Sequence, residues 1–334
     1  MRSPPPARRL LILLLACMGP VFSSCTTVKD RAEPRTGTLQ FPRYALSSVT
    51  DGQWIYVFGG SHHPQPQSPE RFPSALTATY ERIDPETLQS SFYAVGLYRR
   101  ANQASLVIDS AIASFGGRFQ YGPDIQKAWQ NEVLDISELT SREIAPLPEP
   151  LRTPGAAYHQ GIVYLVGGAT VDTMSETGQR FSERMYTLRS IDGDWERGPD
   201  LIHARADPVA LVGDRIFAIG GYNGVEAIRS VQVYDTEAQT WSPMPDLPYP
   251  LSAYSLVVHG RYVFIFGDYR RMTDIHRYDT ESGELTLLDT KLTTRRHSTA
   301  VKLNDRVFVI GGNRASPGLS LGLIEVFDLR DLLP

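Results

Sequence analysis

From residue 36 onward the apolar positions come in short runs such as Tyr56-Val-Phe58, Tyr164-Leu-Val166, Phe217-Ala-Ile219, Val263-Phe-Ile-Phe266 and Val307-Phe-Val-Ile310. They are rich in β-branched and aromatic side chains and are bounded by glycine, aspartate, asparagine and proline. That is strand chemistry punctuated by turns, and it predicts an all-β chain with almost no helical periodicity. The stretch from Arg205 to Trp241 shows the unit best. A first run ends at the turn Gly213-Asp214, a second at Gly220-Gly221 and a third at Tyr234-Asp235, and Trp241 follows.

The unit recurs. Glycine pairs follow an apolar run at Gly59-Gly60, Gly116-Gly117, Gly167-Gly168, Gly220-Gly221 and Gly311-Gly312, with Gly267-Asp268 as a sixth, altered copy. The first glycines are 57, 51, 53, 47 and 44 residues apart. An arginine precedes five of them by 15 or 16 residues (Arg43, Arg100, Arg152, Arg205 and Arg295), and Leu251 takes that place before Gly267. Third runs close on Ile83-Asp84, Leu134-Asp135, Tyr234-Asp235, Tyr278-Asp279 and Phe327-Asp328, with a less regular copy around Tyr186-Thr-Leu188. Trp195 and Trp241 fall where a fourth run begins. Apolar run, glycine pair, Tyr-Asp and Trp at these spacings resemble the kelch repeat. The resemblance covers about residues 36–334 and implies a six-bladed β-propeller with four strands per blade. The last copy has three strands, so a segment around residues 37–41 is expected to supply the fourth and close the ring, removing exposed sheet edges.

The first 24 residues read as a lipoprotein signal peptide. Arg2, Arg8 and Arg9 precede the apolar Leu10 to Ala16, which is too short to span a bilayer, and Phe22-Ser23-Ser24-Cys25 resembles a lipobox. Cleavage there would leave Cys25 to carry the lipid, residues 25–35 as a tether and 36–334 as the propeller. Expected localisation is an exported, membrane-anchored lipoprotein, in the outer membrane if the cell is Gram-negative. Both cysteines of the chain, Cys17 and Cys25, lie in the leader, so the domain has no disulfide and no thiolate metal site. Net charge is −4 with both signs interspersed, which argues against nucleic acid. The seven histidines show no metal-ligand spacing, and no cofactor is expected. A monomer is expected.

Candidate chemistry sits where copies depart from one another. Loops after the glycine pairs are long in units one to three and short in units four and five, which suggests a lopsided cleft. Arg118, Tyr222 and Tyr269, from these loops, join Phe119 and Tyr121 as candidate ligand-binding or partner-facing groups. The five arginines, entering strands that line the channel, could form a ring receiving a carboxylate, or else be framework residues paired with acids or carbonyls. Asp268 stands where a second glycine is expected, with Arg270 and Arg271 after it. This loop is loosely similar to the active-site loop of the periplasmic N-acetylneuraminate epimerase, a six-bladed kelch enzyme. The resemblance implies Asp268 as acid/base and Arg271 or Arg270 as carboxylate holder. The bland alternative is that Asp268 only adopts the left-handed backbone of a glycine. The functional expectation is an envelope binding module for a protein or a glycan, with a carbohydrate-active enzyme of the epimerase type as the alternative.

Overall fold

The computed structural model describes residues 34–62, 75–121, 124–171, 179–314 and 319–334. It is a six-bladed β-propeller, and the only helical element among the described residues is a single 3-10 turn, Leu329–Asp331. Blade 4 is the simplest case. Strands Ala210–Val212, Arg215–Ile219, Val231–Asp235 and Thr240–Met244 pair antiparallel in that order. Blades 2, 3 and 5 repeat this order. The outer strand of blade 1, Ser90–Ala101, runs on past its sheet and pairs with a hairpin of Arg118–Tyr121 and Asp124–Lys127 from the long loop of blade 2. In blade 3 the loop after the glycine pair opens with a small sheet of Ala169–Val171 and Gln179–Phe181. Cys25, most of the blade 1 insert, and Asp172 and Glu176 of the blade 3 loop fall outside the described residues.

Ring closure is as the sequence requires, displaced by two residues. The segment Arg35–Thr38 pairs antiparallel with Leu323–Asp328, Gly37 opposite Ile324, and becomes the outer strand of blade 6. The chain then turns in at Leu39, which is buried.

The hydrophobic core is divided among six seams, one between each pair of neighbouring blades. The seam of blades 6 and 1 holds Leu46, Val57, Ile83, Phe308 and Ile324; that of blades 3 and 4 holds Tyr164, Val166, Met185, Ile216 and Tyr234. Each blade contributes one sheet face to each of two seams, which is why second and third strands are apolar on both faces. Trp241 packs its ring on Tyr234 at 5.2 Å and donates Nε1–H to the Pro199 carbonyl, tying blade 4 to blade 3. The aspartates that end third strands are turn caps. Oδ1 of Asp84, Asp135, Asp235 and Asp279 accepts backbone N–H groups two and three residues on.

The closing strand presents little side-chain area and holds by pairing and close approach. A Cβ on Gly37 would meet Leu88 Cβ at 2.6 Å and its carbonyl oxygen at 2.7 Å. Gly37→Val is therefore expected to lower stability by about 1–3 kcal/mol, read as a lower urea midpoint with the slope unchanged.

Candidate functional site

Every blade makes the same close approach to the next. The first glycine of each pair lies against the main-chain carbonyl of an equivalent residue in the following blade: Arg100, Leu151, Arg205, Leu251, Arg295 and, across the closure, Arg43. That set corrects the sequence reading. Four of the five arginines occupy this framework position, but Arg152 is one residue beyond it, and Leu151 holds the framework place of blade 3. The 15-or-16 spacing hid two different offsets, because the segment from framework residue to glycine pair is one residue shorter in blade 4 than in the others.

The framework arginines do not form a channel ring. Arg43, Arg100 and Arg295 are fully buried, and Arg205 nearly so. Arg43 pairs with Glu81 at 2.6 Å, Arg100 with Glu132 at 2.9 Å and Arg295 with Glu325. Arg205 has no acid. Its guanidinium donates to the carbonyls of Ala218, Gly220 and Ser230 at 2.8, 2.7 and 3.0 Å, and Gln232 fills the place of the glutamates. Burial pushes the Arg43 and Arg205 pKa values down to about 10. The glutamates also accept backbone N–H groups of the chain entering the blade: Glu81 from Gln40 and Phe41, Glu132 from Leu97, Glu325 from Thr293. Where leucine replaces arginine, the third-strand residue changes with it. Blade 3 has Tyr186, hydrogen-bonded to Glu149 at 3.0 Å, and blade 5 has His276, whose Nε2 lies 2.9 Å from the Tyr249 hydroxyl.

The charge available for a ligand is elsewhere, at one mouth of the channel. The central cavity has a volume of about 240 Å³ and is lined by inner-strand residues that include Asn102, Thr153, Asp207 and His297. Arg152 and Arg296 immediately precede Thr153 and His297, and Arg118 pairs by its backbone with Ala101, next to Asn102. Among the described residues none of these three arginines has a carboxylate within ion-pair distance, and their Nε atoms are buried without a hydrogen bond. Arg118 and Arg152 are near enough that burial and then Arg118 hold Arg152 below the usual guanidinium range. Burial and the three neighbouring arginines push His297 down to about 4 even though Asn313 hydrogen-bonds its ring, so it is neutral at pH 7. Aromatic groups frame the cluster. Tyr269 is exposed, with the Arg296 guanidinium 4.2 Å from its ring centroid. Tyr222 is exposed and stands edge-on to Phe181 at 5.3 Å, and Val225 at the blade 4 loop tip is 86% exposed. Sequence reasoning missed Arg296, whose signal was the adjacent pair Arg295-Arg296.

Asp268 is 2% exposed, and its Oδ1 accepts the backbone N–H groups of Arg270 and Arg271. It lies outside the left-handed region, although the second glycines of the other five pairs have φ between 98° and 107°. The glycine-mimic reading is thus wrong: the backbone changed course, and Asp268 caps the new turn. Arg270 is exposed. Arg271 lies 3.6 Å from Asp268 Oδ2 and stacks over Tyr249 at 4.0 Å. Asp268, Arg271, Tyr249 and His276 therefore meet in blade 5, with Asp268 Oδ2 and His276 Nδ1 buried and without a hydrogen bond.

Removing one partner of a buried ion pair leaves the other charge uncompensated. Glu132→Ala is expected to cost about 3–5 kcal/mol by urea titration. Arg295→Leu combined with Glu325→Tyr, which copies the pairing of blade 3, is expected to recover most of what Glu325→Ala alone loses.

The comparisons with known proteins agree with this architecture. The family model described as the KLHDC2/KLHL20/DRC7 Kelch-repeats domain matches residues 107–312. Alpha-scruin of Limulus polyphemus is 27% identical over 219 residues, which is 64% of this chain and 23% of that protein. Kelch repeat and BTB domain-containing protein 2 of cowpox virus (strain GRI-90 / Grishak) is 33% identical over 156 residues, 45% of this chain and 27% of that protein. Kelch-like protein 25 of Xenopus tropicalis is 23% identical over 218 residues, 65% of this chain and 35% of that protein. In each case the match spans roughly a third or less of the relative. With six seams, six framework positions and a family model covering more than half of its length, the chain belongs to the kelch-repeat family.

Proposed function

We propose that this propeller is a binding module whose channel mouth receives an acidic group of a partner in the cell envelope. Kelch-repeat propellers generally mediate protein interactions, and a protein partner is the first expectation. The observation that carries the reading is the Arg118, Arg152 and Arg296 cluster, three guanidinium groups near one another with no carboxylate of the described chain to compensate them. Guanidinium groups held beside low-dielectric walls attract anions strongly and bind carboxylates through paired donors. Tyr222 and Tyr269 beside them add apolar contact of the kind interfaces use. Lipidation at Cys25 would keep the module at a membrane, with the tether giving the mouth reach. A glycan fits the same site where it carries carboxylates.

The second reading, an epimerase-type carbohydrate enzyme, draws on blade 5, where Arg271, Asp268, Tyr249 and His276 converge. Burial of Asp268 and its use as a turn cap weigh against it as the acid/base. Unchanged anomer equilibration of sialic acid in the presence of the protein would remove this reading.

The first reading is tested with an array of acidic peptides probed by the soluble domain. Glutamate-containing peptides are expected to bind, and Arg152→Glu is expected to reduce their affinity about 10-fold or more, since hydrogen bonds to charged groups contribute about 1.5–3 kcal/mol. Equal binding by Arg152→Glu, or retention of peptides with no acidic residue, contradicts it.

A further inference from the structure

Just inside the mouth, six equivalent residues ring the channel, each two positions after the framework residue: Ala45, Asn102, Thr153, Asp207, Ala253 and His297. Five have φ between 52° and 58°. Their backbones are joined blade to blade. The N–H of Ala45 donates to His297, Asn102 to Ala45 and Thr153 to Asn102, all at 2.8 Å, and His297 donates to Ala253 at 3.2 Å. The chain of donors fails only at blade 4. No bond runs from Asp207 N–H to the Thr153 carbonyl, and the Ala253 N–H reaches the Asp207 carboxyl oxygens, at 3.3 and 3.2 Å, in place of its carbonyl.

A missing residue explains the break. In the other five blades the residue opposite the last strand position before the glycine pair is four places after the framework residue: Ser47, Ala104, Gly155, Ser255 and Thr299. In blade 4 the register Ala210↔Phe217 puts Pro208 opposite Ile219, only three places after Arg205. The shortened connection forces Asp207 to φ 146°, a conformation that L-residues rarely adopt. Strain, an open ring and a carboxyl at the gap coincide on one residue that also lines the cavity.

We propose that Asp207 is a protonation-dependent latch closing the channel ring between blades 3, 4 and 5. As a carboxylate it only accepts, so it can hold Ala253 and leaves the Thr153 carbonyl without a donor. As a carboxylic acid it also has an O–H to give, and the Thr153 carbonyl is the ring acceptor left open. The groups facing it are few. Arg205, on its own segment, has its guanidinium engaged by carbonyls; Tyr254, from blade 5, donates its hydroxyl to the Ile219 carbonyl; His297, across the channel, is neutral; and blade 3 presents Thr153, Pro154 and Gly155, which do not titrate. Asp207 is half-buried at the cavity wall, and desolvation there, outweighing the Ala253 hydrogen bond and Arg205, pushes it from 3.8 up to about 7. A group whose folded value is raised stabilises the fold fully below its ordinary value. That contribution is lost as pH rises through the folded value, here between about 4 and about 7.

The test uses the full chain. Asparagine has the shape of the protonated acid, with one acceptor and a donor that does not titrate. The melting temperature of the native protein is expected to fall between pH 5 and pH 8, and Asp207→Asn to flatten that dependence and melt at least about 2 °C above native at pH 8. Asp207→Ala should lose the latch at every pH. Carbon-13 NMR of the native Asp207 carboxyl, needing no variant, should titrate near neutrality. A carboxyl that titrates near 4, or a pH dependence that persists in Asp207→Asn, overturns the proposal.

Discussion

The seam between blades is set by one close approach. In every blade a glycine backbone lies so near the framework carbonyl of the following blade that a Cβ would come within 2.8 Å of its oxygen. In five blades the second glycine then donates its N–H to that same carbonyl, at 2.7 to 2.9 Å. The contact recurs at the closure, where Gly311 meets Arg43, so all six seams share it. A side chain there would separate two apolar sheet faces along a whole seam. The glycine pairs are thus the one constraint the other residues must accommodate.

The framework arginines follow from that constraint. A carbonyl held against a neighbouring blade needs its own segment held in place, and in four blades a buried guanidinium fans out under the glycine pair to do this. Charge buried at this depth is tolerable only when it is paired or bonded to carbonyls. Glutamates at the third strand answer arginine in three blades; in a fourth Gln232 holds that position and bonds the Ile202 and His203 backbone, and Tyr186 or His276 appear where leucine stands instead. The scaffold consumes its own charge. What remains for a ligand is the arginine charge that the framework does not engage, at the mouth.

Much of the fold was legible because six copies of one pattern constrain it jointly. The strands, the blade count and the closing segment could all be read from spacing. Three things were not read. The offset of Arg152 was invisible because a one-residue deletion in blade 4 makes Arg205, which is in the framework, and Arg152, which is not, equally distant from their glycines. The partners of the arginines were missed because attention fell on the aspartates that end third strands, which are turn caps. The signal was present three residues earlier, at Glu81, Glu132 and Glu325. Asp268 looked like a tolerated glycine substitute, and only backbone geometry shows that the turn was rebuilt around it.

Arg118, Arg152 and Arg296 stand at the mouth without a carboxylate partner among the described residues, while the framework arginines are engaged. The most direct measurement is thermal stability against citrate, a compact polycarboxylate, at constant ionic strength. A ligand that binds only the folded state raises the melting temperature with concentration. The native protein is expected to show such a rise and the Arg118→Ala/Arg152→Ala variant to lack it. An equal rise in both would contradict the claim.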